Sequence, residues 1–265
     1  MAPYPNLISD SLLVSETIQL LQSHGGRAPA IRVVDRVMRI QAPDAELARL
    51  LISDLVATDP RLHLNEDTVE LVELAAKKRN LADAEFVVFD LETTGAKTPP
   101  CRITEIGACR VKSGKIVDEF HTLVNPETPI PMFISQLTGI TDGMVKSAPK
   151  FRDIAHEFLD FIGDSVLVAH NAHFDLRFLN YEIGRIYEAY SVANQHLCTV
   201  QLSRKLLPHI ENHRLNTVAA HYSVALVNHH RASDDAHATA HIFVNLLGEL
   251  SARGILDLAA AKRIR

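Results

Sequence analysis

The sequence predicts an α/β protein in which a mixed sheet is flanked by helices, with a smaller domain on its N-terminal side. Three observations lead to this fold class. Phe86–Phe89 is a short apolar run typical of a buried strand. Two further strand-like segments, 103–111 and 116–124, are joined at Ser113-Gly114 as a hairpin. Helical and strand patterns then alternate to about Leu247, so the larger domain is expected to combine both element types around one core.

The N-terminal residues predict three short helices. Ser15 is a suitable N-cap for the first, which ends at Gly25-Gly26. The second is predicted over 30–39, and Pro43-Asp44 opens the third. The third helix is expected to bury one stripe of apolar side chains, formed by Leu47, Leu50, Leu51 and Leu55.

A hairpin is predicted after these helices, at 62–71, where two short alternating segments flank a polar turn. We assign 1–80 to one domain, which resembles a winged-helix module, and expect a helical connector over 74–83. Winged helices often contact DNA, but Met1–Asp83 carries nine Lys and Arg against twelve Asp and Glu, a net charge of -3. Because acidic surfaces repel phosphates, the composition favours docking onto a protein or packing within the chain, with DNA contact as the alternative.

The larger domain is assigned to 84–250, and 251–265 is expected to form a C-terminal helical tail. After the three-stranded meander, a strand is predicted at 166–168. Helices are predicted around it on apolar spacing, at 154–162, 176–186, 200–207, 215–222 and 234–247. This order of elements is that of a ribonuclease H-like fold.

Two carboxylates follow the first strand of this domain. Because side chains alternate along a strand, Asp90 and Glu92 lie on the same face as Phe86 and Val88. The acids are expected at the C-terminal end of the strand, close enough to share a divalent cation. Two solvated acids at a strand end are the alternative interpretation.

A third carboxylate, Asp175, falls in the first turns of a helix that follows the strand at 166–168. The helix dipole favours an acid there even without a metal, so a purely structural role is the alternative. Asn171 is expected to cap or hydrogen-bond at this junction. Phe174 is expected either to pack in the core or to stack on a base.

The fourth carboxylate, Asp235, is predicted on the first turn of the last long helix, with His230 in the preceding loop. A histidine there can deprotonate a metal-bound water near neutral pH. The residues alone leave the register open, because His229 and Asp234 have the same spacing as His230 and Asp235.

In this order and spacing, the segments 90–95, 171–175 and 230–236 resemble the DEDD-type 3′–5′ exonucleases that use a catalytic histidine. This superfamily includes the proofreading epsilon subunit of bacterial replicative DNA polymerase. The resemblance covers about 86–247, with smaller matches at 103–107 and 137–141. Matching the alanines of the third motif to the family pattern selects His230 and Asp235 over their neighbours.

The resemblance implies two Mg²⁺ or Mn²⁺ ions as cofactors and His230 as the general base. The implied metal ligands are Asp90, Glu92, Asp175 and Asp235. Residues implied to bind the terminal nucleotide are Thr93, Thr94, Gly95, Thr138 and Ile140, and Asn171 and Phe174 are expected to bind substrate as well. The implied activity is stepwise release of nucleoside 5′-monophosphates from DNA 3′ ends, in proofreading or repair. An exonuclease acting on RNA, and a docking subunit of a polymerase or repair complex, are the alternatives.

Composition and residue spacing argue against several other classes of protein. A net charge of -5 argues against a general nucleic-acid-binding protein. Three widely spaced cysteines and the lack of a long apolar run indicate a cytoplasmic protein without a membrane segment. His237 and His241 have a helical spacing that can bind zinc, but no third ligand accompanies them in the usual metalloprotease arrangement, so polar-face positions are expected.

Overall fold

A computed structural model describes residues 3–72 and 79–264. The chain folds into two compact units. The first comprises Met1–Lys77 together with Ile183–Ala193, and the second comprises Lys78–Glu182 with Asn194–Arg265. The first unit is therefore built from two separate stretches of sequence. Within the described part of the chain, no helix is long and apolar enough to cross a membrane.

The described elements before residue 73 are three helices and four short strands. In chain order they are β1 (Leu7–Ser9), α1 (Leu12–Ser23), β2 (Arg27–Pro29), α2 (Ala30–Arg36), α3 (Ala45–Ala57), β3 (Leu62–Asn65) and β4 (Thr68–Leu71). The predicted hairpin is confirmed as β3–β4, and β2 adds to it to give a three-stranded sheet in the order β2-β4-β3.

Three details of the N-terminal helices differ from prediction. Helix α1 begins one turn earlier, because the hydroxyl of Ser11 accepts a hydrogen bond from the Val14 N–H at 3.3 Å. Helix α2 ends at Arg36 instead of Arg39. The predicted apolar stripe of α3 is wrong in part, since Leu47 and Leu50 are 39% and 61% exposed. The face that packs on the core is instead formed by Ala48, Ile52 and Leu55, where a small side chain allows close approach.

The described elements after residue 78 are six strands and eight helices. In chain order they are β5 (Glu85–Thr93), β6 (Ile103–Lys112), β7 (Lys115–Leu123), α4 (Met132–Thr138), α5 (Asp142–Val145), α6 (Phe151–Ile162), β8 (Val166–Ala169), α7 (Ala172–Ile186), β9 (Tyr190–Val192), β10 (His196–Cys198), α8 (Thr199–Leu206), α9 (Leu215–His221), α10 (Ala232–Ala252) and α11 (Leu258–Lys262).

A five-stranded mixed sheet in the order β10-β8-β5-β6-β7 forms the centre of the second unit. The predicted meander is confirmed, because β5, β6 and β7 pair antiparallel, whereas β8 and β10 add in parallel. Phe86 of β5 packs edge-on against Phe243 of α10, with ring centroids 4.8 Å apart. On the other face, Phe89 packs against Phe158 of α6. Helices therefore cover both faces of the sheet, as the α/β prediction requires.

Two segments at the edges of the second unit were expected to be helical. The predicted connector is not helical over 79–83, where the chain turns and Asn80 bridges to Asp257, and its residues 74–78 lie outside the described part. In the stretch expected to be a helical tail, α10 extends to Ala252 and α11 follows. Leu258 and Ala261 of α11 are buried in the same core as Phe86 and Phe243.

Strand β9 belongs to the first unit. It pairs antiparallel with β1, so that Leu7 lies opposite Val192 and Ser9 lies opposite Tyr190. The Tyr190 hydroxyl also donates a hydrogen bond to the Thr58 carbonyl at 3.1 Å. Neither strand was predicted, because each is only three residues long.

Candidate active site

Asp90 and Glu92 stand at the C-terminal end of β5, where the sheet places them on the face that α10 covers. Both are partly exposed, whereas the residues that precede them on the same face, Phe86 and Val88, are buried. The register of β5 shifts just after Glu92, at a bulge that ends regular pairing with β6. The strand therefore buries its apolar half and presents two carboxylates at its end.

Asp235 completes a cluster with these two acids. It lies on the first turn of α10, is 3% exposed, and faces β5. One carboxylate oxygen from each of Asp90, Glu92 and Asp235 lies within 4.8 Å of the others. Its neighbour Asp234 instead accepts a hydrogen bond from the Asn228 side chain at 3.1 Å. The structure thus brings together the set that contains Asp235.

Asp175 reaches the same strand from α7. It is 2% exposed, and its carboxylate accepts a hydrogen bond from the N–H of Leu91, the residue between the two β5 acids, at 3.3 Å. Asn171, just before α7, has a positive φ of 77° and accepts the N–H of Phe174 through its carbonyl. Phe174 is partly buried and packs on Phe178, with ring centroids 4.9 Å apart.

Burial raises the pKa values of Asp90, Glu92 and Asp175, and repulsion from neighbouring carboxylates adds to it for Asp90 and Glu92. Burial is the main cause of a pKa for Asp90 well above its ordinary value, and the charges of Asp175, Glu92 and Asp235 add to it. Burial likewise raises the pKa of Glu92 to about 8, with further contributions from Asp235, Glu105 and Asp175. Burial raises the pKa of Asp175 to about 8. Bound cations would relieve the repulsion between carboxylates in such a cluster. Because all of its donor atoms are oxygens, the cluster suits hard divalent ions such as Mg²⁺ and Mn²⁺.

Two histidines precede α10, and they differ in their hydrogen bonds. His229 Nδ1 lies 3.1 Å from both carboxylate oxygens of Asp235. His230 contacts Asp235 through its backbone N–H, at 3.0 Å, in a conformation with φ of 71°. In the described part of the chain the ring nitrogens of His230 have no hydrogen-bond partner. The two rings stack with centroids 4.0 Å apart, and burial, followed by the charge of His229, lowers the pKa of His230.

Most of the residues expected to bind the terminal nucleotide form hydrogen bonds or pack against other residues within the fold. The Thr93 hydroxyl donates to the Gly95 carbonyl at 2.8 Å, and the Thr94 hydroxyl accepts the Arg102 N–H at 3.0 Å. The Thr138 hydroxyl donates to the Ile134 carbonyl at the end of α4. Ile140 is fully buried and packs with the isoleucines of α4 and its preceding loop, so its side chain offers no surface to a substrate.

The sequence did not identify Glu105 as part of the site. It lies on β6 opposite Glu92, is fully buried, and accepts hydrogen bonds from the Arg231 guanidinium at 2.7 Å and from the Ala232 N–H at 2.9 Å. His121 lies 2.8 Å from it. Burial acts to raise the pKa of Glu105, but these hydrogen bonds outweigh it and the pKa is lowered. Glu105 thus binds the histidine loop, the segment 228–231 that carries His229 and His230, to the sheet. The signal in the sequence was an acid within the mostly apolar segment 103–109.

Gly107, also on β6, allows the N-terminus of α10 to approach the sheet. It pairs with Asp90, and a Cβ at this position would lie 2.2 Å from the Ala232 carbonyl oxygen. Such a contact is not tolerated, so any side chain must displace the first turn of α10 that carries Asp235.

Replacing Gly107 with alanine is therefore expected to impair both stability and activity. Overpacking of this kind costs about 1–3 kcal/mol in free energy of unfolding. A displacement of catalytic groups by about 1 Å can cost on the order of 10²-fold in rate. Thermal melts and steady-state nuclease rates measure the two effects.

Gly248→Ala is the matched control, because Gly248 lies on the same helix with nothing within 4 Å of its Cβ position. We expect it to keep wild-type activity and to be up to about 1 kcal/mol more stable. Wild-type melting and activity in Gly107→Ala would contradict the close approach of α10 to β6.

The helical histidine pair whose spacing can bind zinc lies on α10. The rings of His237 and His241 are 4.8 Å apart, and Glu119 lies 3.7 Å from His237. Over 3–72 and 79–264, the clusters able to hold a metal are those that contain Asp235, and neither His237 nor His241 belongs to them.

The chain is similar to several known proteins. The exonuclease family model RNase_T matches residues 87–243. DNA polymerase III PolC-type of Caldanaerobacter subterraneus is 46% identical over 177 residues, which are 67% of this chain and 12% of that protein. The Bacillus subtilis protein of the same name is 38% identical over 226 residues, 85% of this chain and 16% of that protein. The chain thus spans less than a fifth of the curated relatives it matches.

Two solved structures show the same ribonuclease H-like fold. One is exonuclease X in complex with 5′ overhanging duplex DNA, at 28% identity and a TM-score of 0.55, with coverage of 67% of this chain and 98% of that one. The other is the nuclease domain of 3′hExo, a DEDDh family member bound to rAMP, at 20% identity and a TM-score of 0.56, with coverage of 64% and 94%.

Proposed function

Because the chain belongs to the exonuclease family, we propose that its second unit hydrolyses the terminal 3′ phosphodiester of DNA and releases nucleoside 5′-monophosphates. The observation that carries this proposal is the convergence of Asp90, Glu92 and Asp235 within 4.8 Å, with Asp175 hydrogen-bonded to the same strand. Four carboxylates from a strand end and two helix starts match what a site for two divalent cations requires.

We assign Asp90, Glu92, Asp175 and Asp235 as the residues that hold two Mg²⁺ or Mn²⁺ ions. When bound, these ions supply charge neutralisation for the phosphate and a lowered pKa for the attacking water. His230 is the general base, because its ring nitrogens are free in the described structure whereas His229 is engaged with Asp235. Burial lowers the pKa of His230, which keeps the ring neutral and able to accept a proton near pH 7.

DNA is the proposed substrate, at a single-stranded or frayed 3′ end, and replication proofreading is the proposed setting. Support comes from the PolC-type DNA polymerases that match the chain and from the DNA complex of exonuclease X. The cytoplasm is the proposed location, where the three free cysteines would remain reduced.

The first unit is proposed to be a winged-helix-like module that docks onto a protein of the replication or repair machinery. The N-terminal segment Met1–Asp83, which contains most of this unit, carries a net charge of -3, and an acidic surface repels the phosphates of a DNA backbone. The exposed Leu47 and Leu50 on α3 give that helix an apolar surface of the type found at protein interfaces.

The assay that tests this function uses four 5′-labelled substrates of one sequence: single-stranded DNA, matched duplex, duplex with a 3′ mismatch, and RNA. With Mg²⁺ or Mn²⁺ we expect a ladder that shortens from the 3′ end, with nucleoside 5′-monophosphates as products. Single-stranded and mismatched DNA should be degraded fastest. Internal fragments, 3′-monophosphates, or a preference for RNA would contradict the proposal.

Metal removal should affect both activity and stability. EDTA is expected to abolish hydrolysis, and Mg²⁺ at about 100 times its Kd should stabilise the folded protein by about 2.7 kcal/mol. For a protein of this size that corresponds to a rise in Tm of several degrees. Differential scanning calorimetry with and without Mg²⁺ checks it, and an unchanged Tm up to millimolar Mg²⁺ would contradict a metal site in the acidic cluster.

A further inference from the structure

A cleft of about 640 Å³ lies beside the histidine loop of the second unit. Its lining includes His229 and His230, together with Arg204 of α8 and Arg214, just before α9. The volume is in the range of pockets that hold small-molecule ligands. The cleft therefore borders the proposed general base, and none of the four carboxylates is among its described lining residues.

The charge of this cleft is positive. None of the described residues that line it is acidic, and Arg204 and Arg214 are both exposed. Burial lowers the pKa of His213, another lining residue, and the positive charge of Arg204 lowers it further. A cleft with two cationic groups and no anionic one attracts phosphate.

Arg204 and Arg214 also differ from the other arginines of this unit. Over 79–182 and 194–264, every other arginine has a hydrogen-bond acceptor for its guanidinium. Neither Arg204 nor Arg214 has one within the described chain. The two guanidinium groups without an internal partner thus line the same cleft, which is the arrangement of a site that binds an external anion.

The backbone that carries the two arginines is held in place. His170, whose pKa burial lowers to about 4, donates from Nε2 to the His213 carbonyl at 3.0 Å. The His213 ring contacts the Ser203 hydroxyl at 3.1 Å, next to Arg204. The Arg214 N–H donates to the Asn212 side chain at 3.0 Å. Because these contacts hold the backbone that carries both arginines, binding has to order only the two exposed side chains.

We propose that Arg204 and Arg214 bind backbone phosphates of the substrate strand on the 5′ side of the scissile bond. The inference rests on the proposed function, which requires a strand to extend from the cleaved 3′ end. Thr93, Thr94 and Gly95, assigned to the terminal nucleotide, lie at the end of β5, and the lining of this cleft includes Asn171, which is also expected to bind substrate, next to His230. The remaining strand is thus guided towards α8 and α9.

The test compares two substrates that share the same reaction. Thymidine 5′-monophosphate p-nitrophenyl ester contains only the scissile phosphate, whereas (dT)12 also supplies phosphates upstream. For Arg204→Ala and for Arg214→Ala we expect the KM for (dT)12 to rise about tenfold. The decrease in kcat/KM should be at least about tenfold larger for (dT)12 than for the ester. Lys205→Ala is the matched control, because it removes a positive charge from the same turn of α8 outside the cleft.

Binding without catalysis gives a second readout. Fluorescence anisotropy of labelled (dT)12 in EDTA should show weaker binding by Arg204→Ala/Arg214→Ala, with the slope of log K against log salt reduced by about 1.4 for two single-strand phosphates. Lys205→Ala should keep the wild-type slope. Thermal melts should show all variants folded, since neither arginine has an internal partner.

The outcomes separate the two hypotheses. If wild type hydrolyses both substrates but the variants bind and cleave (dT)12 normally, or lose equally on both substrates, the strand-binding role is overturned. If the variants bind (dT)12 normally but show a raised inhibition constant for thymidine 5′-monophosphate, the arginines bind the mononucleotide product. That result would also overturn the strand-binding role. If wild type cleaves neither substrate yet binds (dT)12 through the two arginines, the hydrolytic function fails while the binding site stands.

Discussion

Replacing Asp235 with asparagine is expected to lower kcat by about three orders of magnitude or more. Asp235 belongs both to the cluster with Asp90 and Glu92 and to a second group with His229 and His230. Its charge therefore acts on the two β5 acids and on the histidines at once. Loss of a metal ligand removes several kcal/mol of transition-state stabilisation, and each 1.36 kcal/mol is a tenfold change in rate. Single-turnover hydrolysis of (dT)12 over a range of Mg²⁺ concentrations measures this effect.

The same substitution should not destabilise the metal-free protein. Burial is the main cause of the raised pKa values of Asp90 and Glu92, and the Asp235 charge adds to it, so its removal relieves repulsion within the carboxylate cluster. An asparagine oxygen can still accept the His230 N–H. In EDTA, Asp235→Asn is therefore expected to melt at or above the wild-type temperature, and the stabilisation by Mg²⁺ should be lost.

Asp234→Asn is the control, because it changes the same charge one residue away. Asp234 is hydrogen-bonded to Asn228 instead of facing β5, and we expect less than a threefold change in kcat. If Asp234→Asn were the inactive variant and Asp235→Asn the active one, the register of the third motif would be wrong by one residue.

Replacing His230 with alanine is expected to lower kcat by about 10²- to 10⁴-fold, the usual contribution of a general base. The increase in Tm caused by Mg²⁺ should remain, because the carboxylates are intact. At saturating Mg²⁺, which holds the carboxylates in their ionised form, the acid limb of the pH–rate profile should also disappear, since no imidazole remains to lose its proton. The measurement is kcat against pH, with melts in parallel.

His229→Ala tests whether the free ring is the one that matters. The Nδ1 of His229 is already occupied by Asp235, and its removal should cost less than about tenfold through loss of stacking on His230. Equal losses in the two variants, or a larger loss in His229→Ala, would reassign the general base.

The sequence was most informative where local pattern and chemistry coincide. Alternation along Phe86–Glu92 places two apolar and two acidic side chains on one face, and this is how β5 is built. The hairpin at Ser113-Gly114 was predictable because a two-residue turn needs positive φ, which glycine adopts readily. Both residues have positive φ in the structure. The start of α10 was predicted to within two residues by its apolar spacing.

Features that depend on distant contacts were not predictable. The roles of Glu105 and Gly107 follow from residues more than 120 positions away that pack against β6. Alternation alone does not distinguish a buried acid with three partners from an error in the strand assignment. The burial of Ile140 was likewise missed, because a motif gives residue types without the direction in which each side chain points.

The pairing of β1 with β9 has a consequence for how the chain folds during synthesis. The first unit needs residues 183–193 for its last strand, so it cannot be completed when its first 77 residues have left the ribosome. By the time Tyr190–Val192 are available, strands β5 to β8 have also been translated. The two units must therefore mature in overlapping periods. A fragment that starts at Glu85 would carry β9 with an unpaired edge, which is a site for aggregation.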